Sequence, residues 1–208
     1  MVKANVRSVQ RAGDGFRIQL DDDEVSARVV IDAAGKLSRF TKRREVDQFG
    51  VQFYETGTRD GVLDFWFFKD GYGGTVTVEG GRSNACFLIY KDALPRYLGM
   101  PGCLVTGPVA YEARKSEFMA IGDAAGMIDP FCGEGMRHAL ETGMLAAAAV
   151  AEGGSYVAMK ERYRRERAER WKGKRRLGSL VREALKYPAV AMRVFEWKAE
   201  WFFNRIWA

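Results

Sequence analysis

Residues 120–143, AIGDAAGMIDPFCGEGMRHALETG, decide how this chain is read. The apolar run 118–121 before it predicts a short strand. The strand ends in Gly122-Asp123, passes an irregular segment containing Pro130, and enters a helix at Gly133-Glu134-Gly135. Glycines let a backbone approach a bound group closely, and a helix start presents N–H groups without an intrahelical acceptor. Met136, Ala139, Leu140, Gly143, Met144, Ala147 and Ala148 recur at helical spacing, which predicts an amphipathic helix with these residues on its core face. A strand, a glycine-rich bend and a helix in this order form a ligand-holding arrangement.

Working outward, the bulk properties bound the answer. At 208 residues the chain can bury one core or two small ones. It is 47% hydrophobic and 29% charged, a globular balance with no run of membrane-spanning length. Met1-Val2-Lys3 leads into polar residues, so no secretory signal is expected. Cys86, Cys103 and Cys132 are widely spaced and lack a CxxC pair, which argues against a disulfide framework or a zinc site and for a reducing cytoplasm. One histidine, His138, excludes histidine-rich metal chemistry and is read as structural. The net charge of +6 is concentrated in residues 160–176. Interleaved glutamates there predict a solvated helix face with i, i+4 pairs, and no nucleic-acid motif accompanies the charge.

Upstream, alternation with a turn at Gly13-Asp14-Gly15 predicts a β-hairpin. Val29-Val30-Ile31 reads as an interior strand, apolar on both faces, ending in Asp32-Ala33-Ala34-Gly35-Lys36-Leu37-Ser38. Residues 46–90 alternate short aromatic and β-branched runs with glycines, the pattern of an antiparallel sheet of hairpins. Residues 92–108 form a connection with Pro95, Pro101 and Pro108, and 109–114 a strand. Gly153-Gly154 stops the helix of the central stretch, and Ser155 caps a basic helix through about Lys174. Gly178-Ser179 and Pro188 are expected to break the remainder. The last helix carries Val190, Ala191, Val194, Phe195, Trp201, Phe202 and Ile206 at helical spacing.

The central stretch resembles the second FAD-binding motif of flavoprotein hydroxylases and geranylgeranyl-reductase-like oxidoreductases: Gly-Asp-Ala-Ala-Gly, then Pro, then Gly-Glu-Gly at a helix start, then Ala-Leu and Gly. Asp32, Ala33, Ala34, Gly35 and Ser38 resemble the same family's loop after an earlier strand, in the Asp-Ala-x-Gly form of the reductase-like and halogenase-like branches; the hydroxylase aspartate falls on Ala34. Gly71-Tyr72-Gly73-Gly74 through Gly80-Gly81-Arg82-Ser83-Asn84 is similar to a run of the reductase-like branch.

The resemblance implies an α+β chain: a partial α/β FAD-binding domain of glutathione-reductase type, an antiparallel substrate-domain sheet, and C-terminal helices. The implied divisions are 1–43 and 108–152 for the FAD-binding part, 44–107 for the substrate sheet, and 153–208 for the helical region. It implies FAD as cofactor, with Gly122, Asp123, Pro130, Gly133, Glu134, Gly135 and Met136 as binding residues. Asp123 would accept hydrogen bonds from the ribityl chain, an acceptor-only role that a carboxylate suits. The N–H groups at Gly133, Gly135 and Met136 would face the flavin ring. Glu134 is read as a first-turn carboxylate favouring the helix dipole, and Cys132 as a packing residue. No residue stands out as acid or base.

The family's Gly-x-Gly-x-x-Gly loop is not found in the sequence. Three readings therefore stand: part of an FAD-dependent reductase or monooxygenase acting on an apolar or isoprenoid-like molecule, with NAD(P)H or another electron donor; a non-catalytic binding module; or a protein that works at a membrane surface through its basic and aromatic C-terminal helices. Self-association, or a partner supplying the nucleotide-binding unit, is expected with the first.

Overall fold

The computed structural model describes residues 3–46, 48–57 and 61–207; the side chains of 37, 42–46, 110–115, 132, 195, 199, 202–203 and 205–207 lie outside that description. In chain order the strands are β1 (Ser8–Ala12), β2 (Gly15–Gln19), β3 (Glu24–Ala27), β4 (Ile31–Asp32), β5 (Thr41–Val46), β6 (Gln48–Thr56), β7 (Leu63–Phe68), β8 (Gly71–Val78), β9 (Arg82–Tyr90), β10 (Leu104–Thr106), β11 (Val109–Ser116) and β12 (Met119–Ala120). The helices are α1 (Leu94–Leu98), α2 (Gly135–Ala151), α3 (Tyr156–Ala184) and α4 (Pro188–Trp207). Helices and antiparallel sheets thus mix as an α+β chain.

The chain divides into two compact units. One comprises residues 1–43, 112–126 and 135–172; the other comprises 44–111, 127–134 and 173–208. In the first, β1, β2 and β3 form an antiparallel meander, and β4 pairs in parallel with β12 through Met119↔Ile31 and Ala120↔Asp32. Phe16, Phe118, Met119, Ala146, Ala149, Tyr156 and Tyr163 are its core. Phe16 packs edge-on against both Phe118 and Tyr156, at centroid distances of 5.6 and 4.6 Å. In the second, a five-stranded antiparallel sheet runs β10-β6-β9-β8-β7. Phe65, Phe67 and Tyr72 of this sheet pack with Phe131, Leu177, Val181, Leu185 and Ala191.

Four sequence expectations are corrected. The interior strand at 29–31 is only two residues long, and Ile31 is 39% exposed; β4 has one neighbour among the described strands, so one of its edges is uncovered. The apolar stripe of α2 faces outward: Met136, Leu140 and Met144 are 83, 71 and 72% exposed, and the buried face is His138, Thr142, Ala146 and Ala149. Periodicity located a helix face but did not identify which face packs, because Thr142 bonds the Gly122 N–H and His138 packs edge-on to Trp171 inside.

Gly178-Ser179 does not break α3, which runs unbroken to Ala184. A Cβ at Gly178 would lie 2.8 Å from the Cβ of Asp129, so the glycine is required by close packing. Finally, the basic helix is only in part a solvated face: Arg164 and Glu161 form an exposed pair there, but a second face is engaged with the rest of the unit. Tyr156, Lys160, Tyr163 and Arg167 recur at i, i+4, i+7 and i+11 and donate to backbone carbonyls of Val30, Ser116, Glu117, Ala120 and Ala125. One polar stripe of α3 thereby satisfies strand-end and loop carbonyls that burial would otherwise orphan.

Candidate functional site

In the first unit, the parallel pair β4–β12 brings two loops together at its carboxyl end. Asp32 anchors one of them. Its carboxylate is 4% exposed and accepts from the Ala34 N–H (3.1 Å), the Thr41 hydroxyl (3.0 Å) and the Ser38 hydroxyl. Its main-chain oxygen accepts from Ile121 N–H at 3.0 Å, at the entry to the second loop. Tyr156 braces the pair by donating to Val30 O (2.7 Å) and accepting from Met119 N–H (2.9 Å). Burial pushes its phenol upward, against the opposing pull of the Met119 N–H and Arg11.

The second loop is a 3-10 turn, Gly122–Ala125. Gly122 has φ +54°, a conformation that favours glycine, and a Cβ there would approach the Ala139 Cβ to 3.2 Å. Its N–H donates to Thr142 Oγ1 at 2.9 Å, and that hydroxyl donates to His138 O at 2.7 Å. The loop is thus pinned to the buried face of α2. His138 is fully buried with Trp171 edge-on to its ring at 4.8 Å.

Asp123, one residue on, is half-buried, and its carboxylate accepts no hydrogen bond and makes no ion pair among the described residues. At the start of α2, Gly135 and Met136 are exposed. A Cβ at Gly135 would meet nothing within 4 Å, and its φ is not positive. Neither backbone conformation nor a neighbour among the described residues demands glycine there.

In the second unit, Pro130–Cys132 form another 3-10 turn, closed by Gly133 in the left-handed region (φ +65°). Pro130 is exposed at its first position, and the side chain of Cys132 lies outside the described residues. Asp129 caps this turn. It is 7% exposed and accepts from Phe131 N–H (3.1 Å) and from the Tyr72 hydroxyl (3.2 Å), with Arg182 Nε 3.7 Å away. Burial raises its carboxyl above the usual range, outweighing the opposing pull of the Phe131 N–H, Arg182 and Tyr72.

Glu134 precedes α2 rather than sitting in its first turn. Its carboxylate is 4% exposed and pairs with Lys174 Nζ at 2.5 Å, so a solvated dipole partner is replaced by a buried ion pair. The sequence reading missed Asp32 as an anchor, Thr142, Asp129 and Lys174. The spacing Asp32…Ser38, within an apolar run followed by hydroxyl residues, was the available signal for the first. The other three are defined by partners remote in sequence. This unit also contains a cavity of about 240 Å³ walled by apolar side chains, among them Phe67, Phe131, Leu177, Val181 and Leu185.

No family model matches the chain. Digeranylgeranylglycerophospholipid reductase 3 of Methanosphaera stadtmanae is 23% identical over a 193-position alignment covering 73% of this chain and 48% of that protein. The chain therefore spans about half the length of this curated relative. Among solved structures, PqsL, a probable FAD-dependent monooxygenase from Pseudomonas aeruginosa, superimposes with a TM-score of 0.72 at 15% identity, over 93% of this chain and 66% of that one. The flavin-dependent brominase Bmp2 gives 0.70 at 17% identity, over 98% and 64%. Over nearly its whole length, then, this chain has the fold found in part of these flavin-dependent enzymes.

Proposed function

We propose that this chain is the flavin-ring and substrate part of an FAD-dependent oxidoreductase that acts on an apolar small molecule, as a reductase or a monooxygenase. The observation that carries the reading is the pair formed by Asp123 and the start of α2. A half-buried carboxylate without a partner among the described residues stands on a loop pinned to the helix that begins at the open Gly135. These residues fit a flavin. Asp123 would accept hydroxyl protons of the ribityl chain, and the N–H groups of Gly135 and Met136, with the helix dipole behind them, would favour the negative charge of the reduced ring. Gly122 holds Asp123 in place through Thr142. When bound, the flavin supplies hydride or oxygen-transfer chemistry, with electrons from NAD(P)H or another donor.

On this reading the first unit is part of an FAD-binding domain of glutathione-reductase type and the five-stranded unit is the substrate domain. Gly133, Pro130 and Glu134 shape the turn leading into α2. The apolar cavity and the aromatic strand β7 support an apolar substrate; the name of the Methanosphaera relative points the same way, to isoprenoid-like chains.

The test is titration of the purified chain with FAD and with riboflavin, followed by quenching of flavin fluorescence. Saturable quenching by both is expected, because the proposed contacts involve the ribityl chain and ring. Asp123→Ala should weaken binding roughly tenfold to a hundredfold, the range for losing hydrogen bonds to a charged acceptor. Fluorescence unchanged by the wild-type chain, or equal affinity for D123A, would sink the proposal.

A further inference from the structure

Helix α4 exposes an apolar stripe. Val190, Val194, Trp197 and Trp201 recur at i, i+4, i+7 and i+11 and are 56, 40, 77 and 54% exposed. Leu180, near the end of α3, is 68% exposed. Contiguous apolar surface of this kind marks an interaction site. Leu180, Val194 and Trp201 also line the 240 Å³ cavity, so its mouth opens within the exposed stripe.

The surrounding charge is basic: residues 173–204 carry seven Lys or Arg against three Glu. Lys174, Arg182 and Lys186 are engaged with Glu134, Asp129 and Glu183. Arg176 and Arg193 are exposed and make no ion pair among the described residues, and Lys198 lies over the Trp197 ring at 4.3 Å. At about 100° per residue over the regular part of α4, Arg193 falls on one flank of Val190, Val194 and Trp197, with Glu196 beyond it; the helix kinks at Lys198 (φ −129°, ψ 22°), and Trp201 follows the kink. No helix among the described residues is long and apolar enough to cross a membrane. An apolar stripe bearing tryptophans and flanked by cations is the pattern of a helix lying in the lipid interface. A cavity without polar walls, opening in that stripe, accepts hydrocarbon and no peptide backbone, whose N–H and C=O groups would go unpaired there.

We propose that this face of α4 and the end of α3 docks on an anionic lipid bilayer, with Trp197 and Trp201 at headgroup depth and the cavity mouth toward the acyl chains. The proposal stands apart from the flavin reading, since neither its residues nor its test involve the cofactor.

The experiment is co-sedimentation with phosphatidylcholine vesicles, with and without phosphatidylglycerol, together with quenching of tryptophan emission by bromine-labelled acyl chains. The wild-type chain should pellet with the anionic vesicles, show quenching, and be released by added salt. Arg193→Glu should reduce binding roughly thirtyfold, as expected for two units of charge at an anionic surface. Trp197→Ser should lose about half of the quenching, leaving the part due to Trp201, and both variants should keep the wild-type circular dichroism, because both positions are exposed. A wild-type chain left in the supernatant at low salt overturns the proposal, as does binding that survives both substitutions. A dimer in light scattering that W197S dissociates, without vesicle binding, also overturns it by assigning the stripe to a second copy.

Discussion

Two glycines in α3 provide a test whose sign is set by tertiary packing. Gly173 and Gly178 lie in the same helix and the same compact unit. Replacing a mid-helix glycine by alanine stabilises a helix by about 1 kcal/mol, because alanine loses less backbone entropy. A Cβ at Gly173 would meet nothing within 4 Å, so Gly173→Ala should realise that gain. For a chain of this size it amounts to a Tm increase of about 3 °C.

At Gly178 the same Cβ would lie 2.8 Å from the Asp129 Cβ, closer than real Cβ contacts allow. Asp129 cannot retreat without loosening its bonds from Tyr72 and Phe131 N–H and its pairing with Arg182. Overpacking costs about 1–3 kcal/mol, and buried donors losing their acceptor cost about 1–3 kcal/mol more. After the helix gain is subtracted, Gly178→Ala should destabilise by about 3 kcal/mol, or roughly 9 °C in Tm. The assay is thermal and urea unfolding of both single variants, with Gly178→Ala repeated in an Asp129→Gly background. Alanine at 129 would keep the offending Cβ; glycine removes it, so in that background G178A should become neutral or stabilising. A G178A variant that stabilises as G173A does would refute the packing argument.

Two further outcomes follow from buried charges. Lys174→Met leaves Glu134 in the interior without its ion-pair partner and should cost about 3 kcal/mol; adding Glu134→Gln should recover most of that, as a double-mutant cycle in urea would show, and additive losses would contradict it. Asp129 has a raised carboxyl pKa, so the folded state holds its proton at pH values where the unfolded chain has released it. Its contribution to stability is therefore greatest below the ordinary carboxylate value of 3.8 and declines as pH rises through the raised folded value. Asp129→Asn lacks this term, so the stability of wild type relative to D129N should grow as pH falls from 7 towards 4; a flat difference in urea melts across that range would remove the assignment.

Much of the fold is legible in local pattern because the forces concerned are local. The turn at Gly13-Asp14 joins β1 and β2, the glycine-punctuated aromatic runs become the antiparallel sheet, and Pro188 opens α4. The 122–136 stretch stands out because its glycines, Asp123 and Pro130 at this spacing resemble a known flavin-binding motif. What could not be read is which helix face turns inward. Met136, Leu140 and Met144 look like a core stripe by composition, but the face that packs is the one whose Thr142 and His138 meet partners from Gly122 and Trp171.

The basic helix shows the same division. Its sequence is that of a solvated helix with neighbouring charges, and Arg164–Glu161 is indeed such a pair. Tyr156, Lys160, Tyr163 and Arg167 instead cap carbonyls of residues 30 and 116–125, and Lys174 and Arg182 reach Glu134 and Asp129. The order of carbonyls along β12 and its loop matches the stripe's spacing only after folding.

The amino-acid sequence by itself therefore determined most of the elements and their order, since turns, strand alternation and glycine placement act within a few residues. Only the tertiary structure decided the roles of Asp32, Asp129, Glu134 and Gly178. Their partners lie far off in sequence, as Tyr72 does from Asp129 and Ile121 from Asp32, and the energy of a buried polar group depends on what it meets once water is gone.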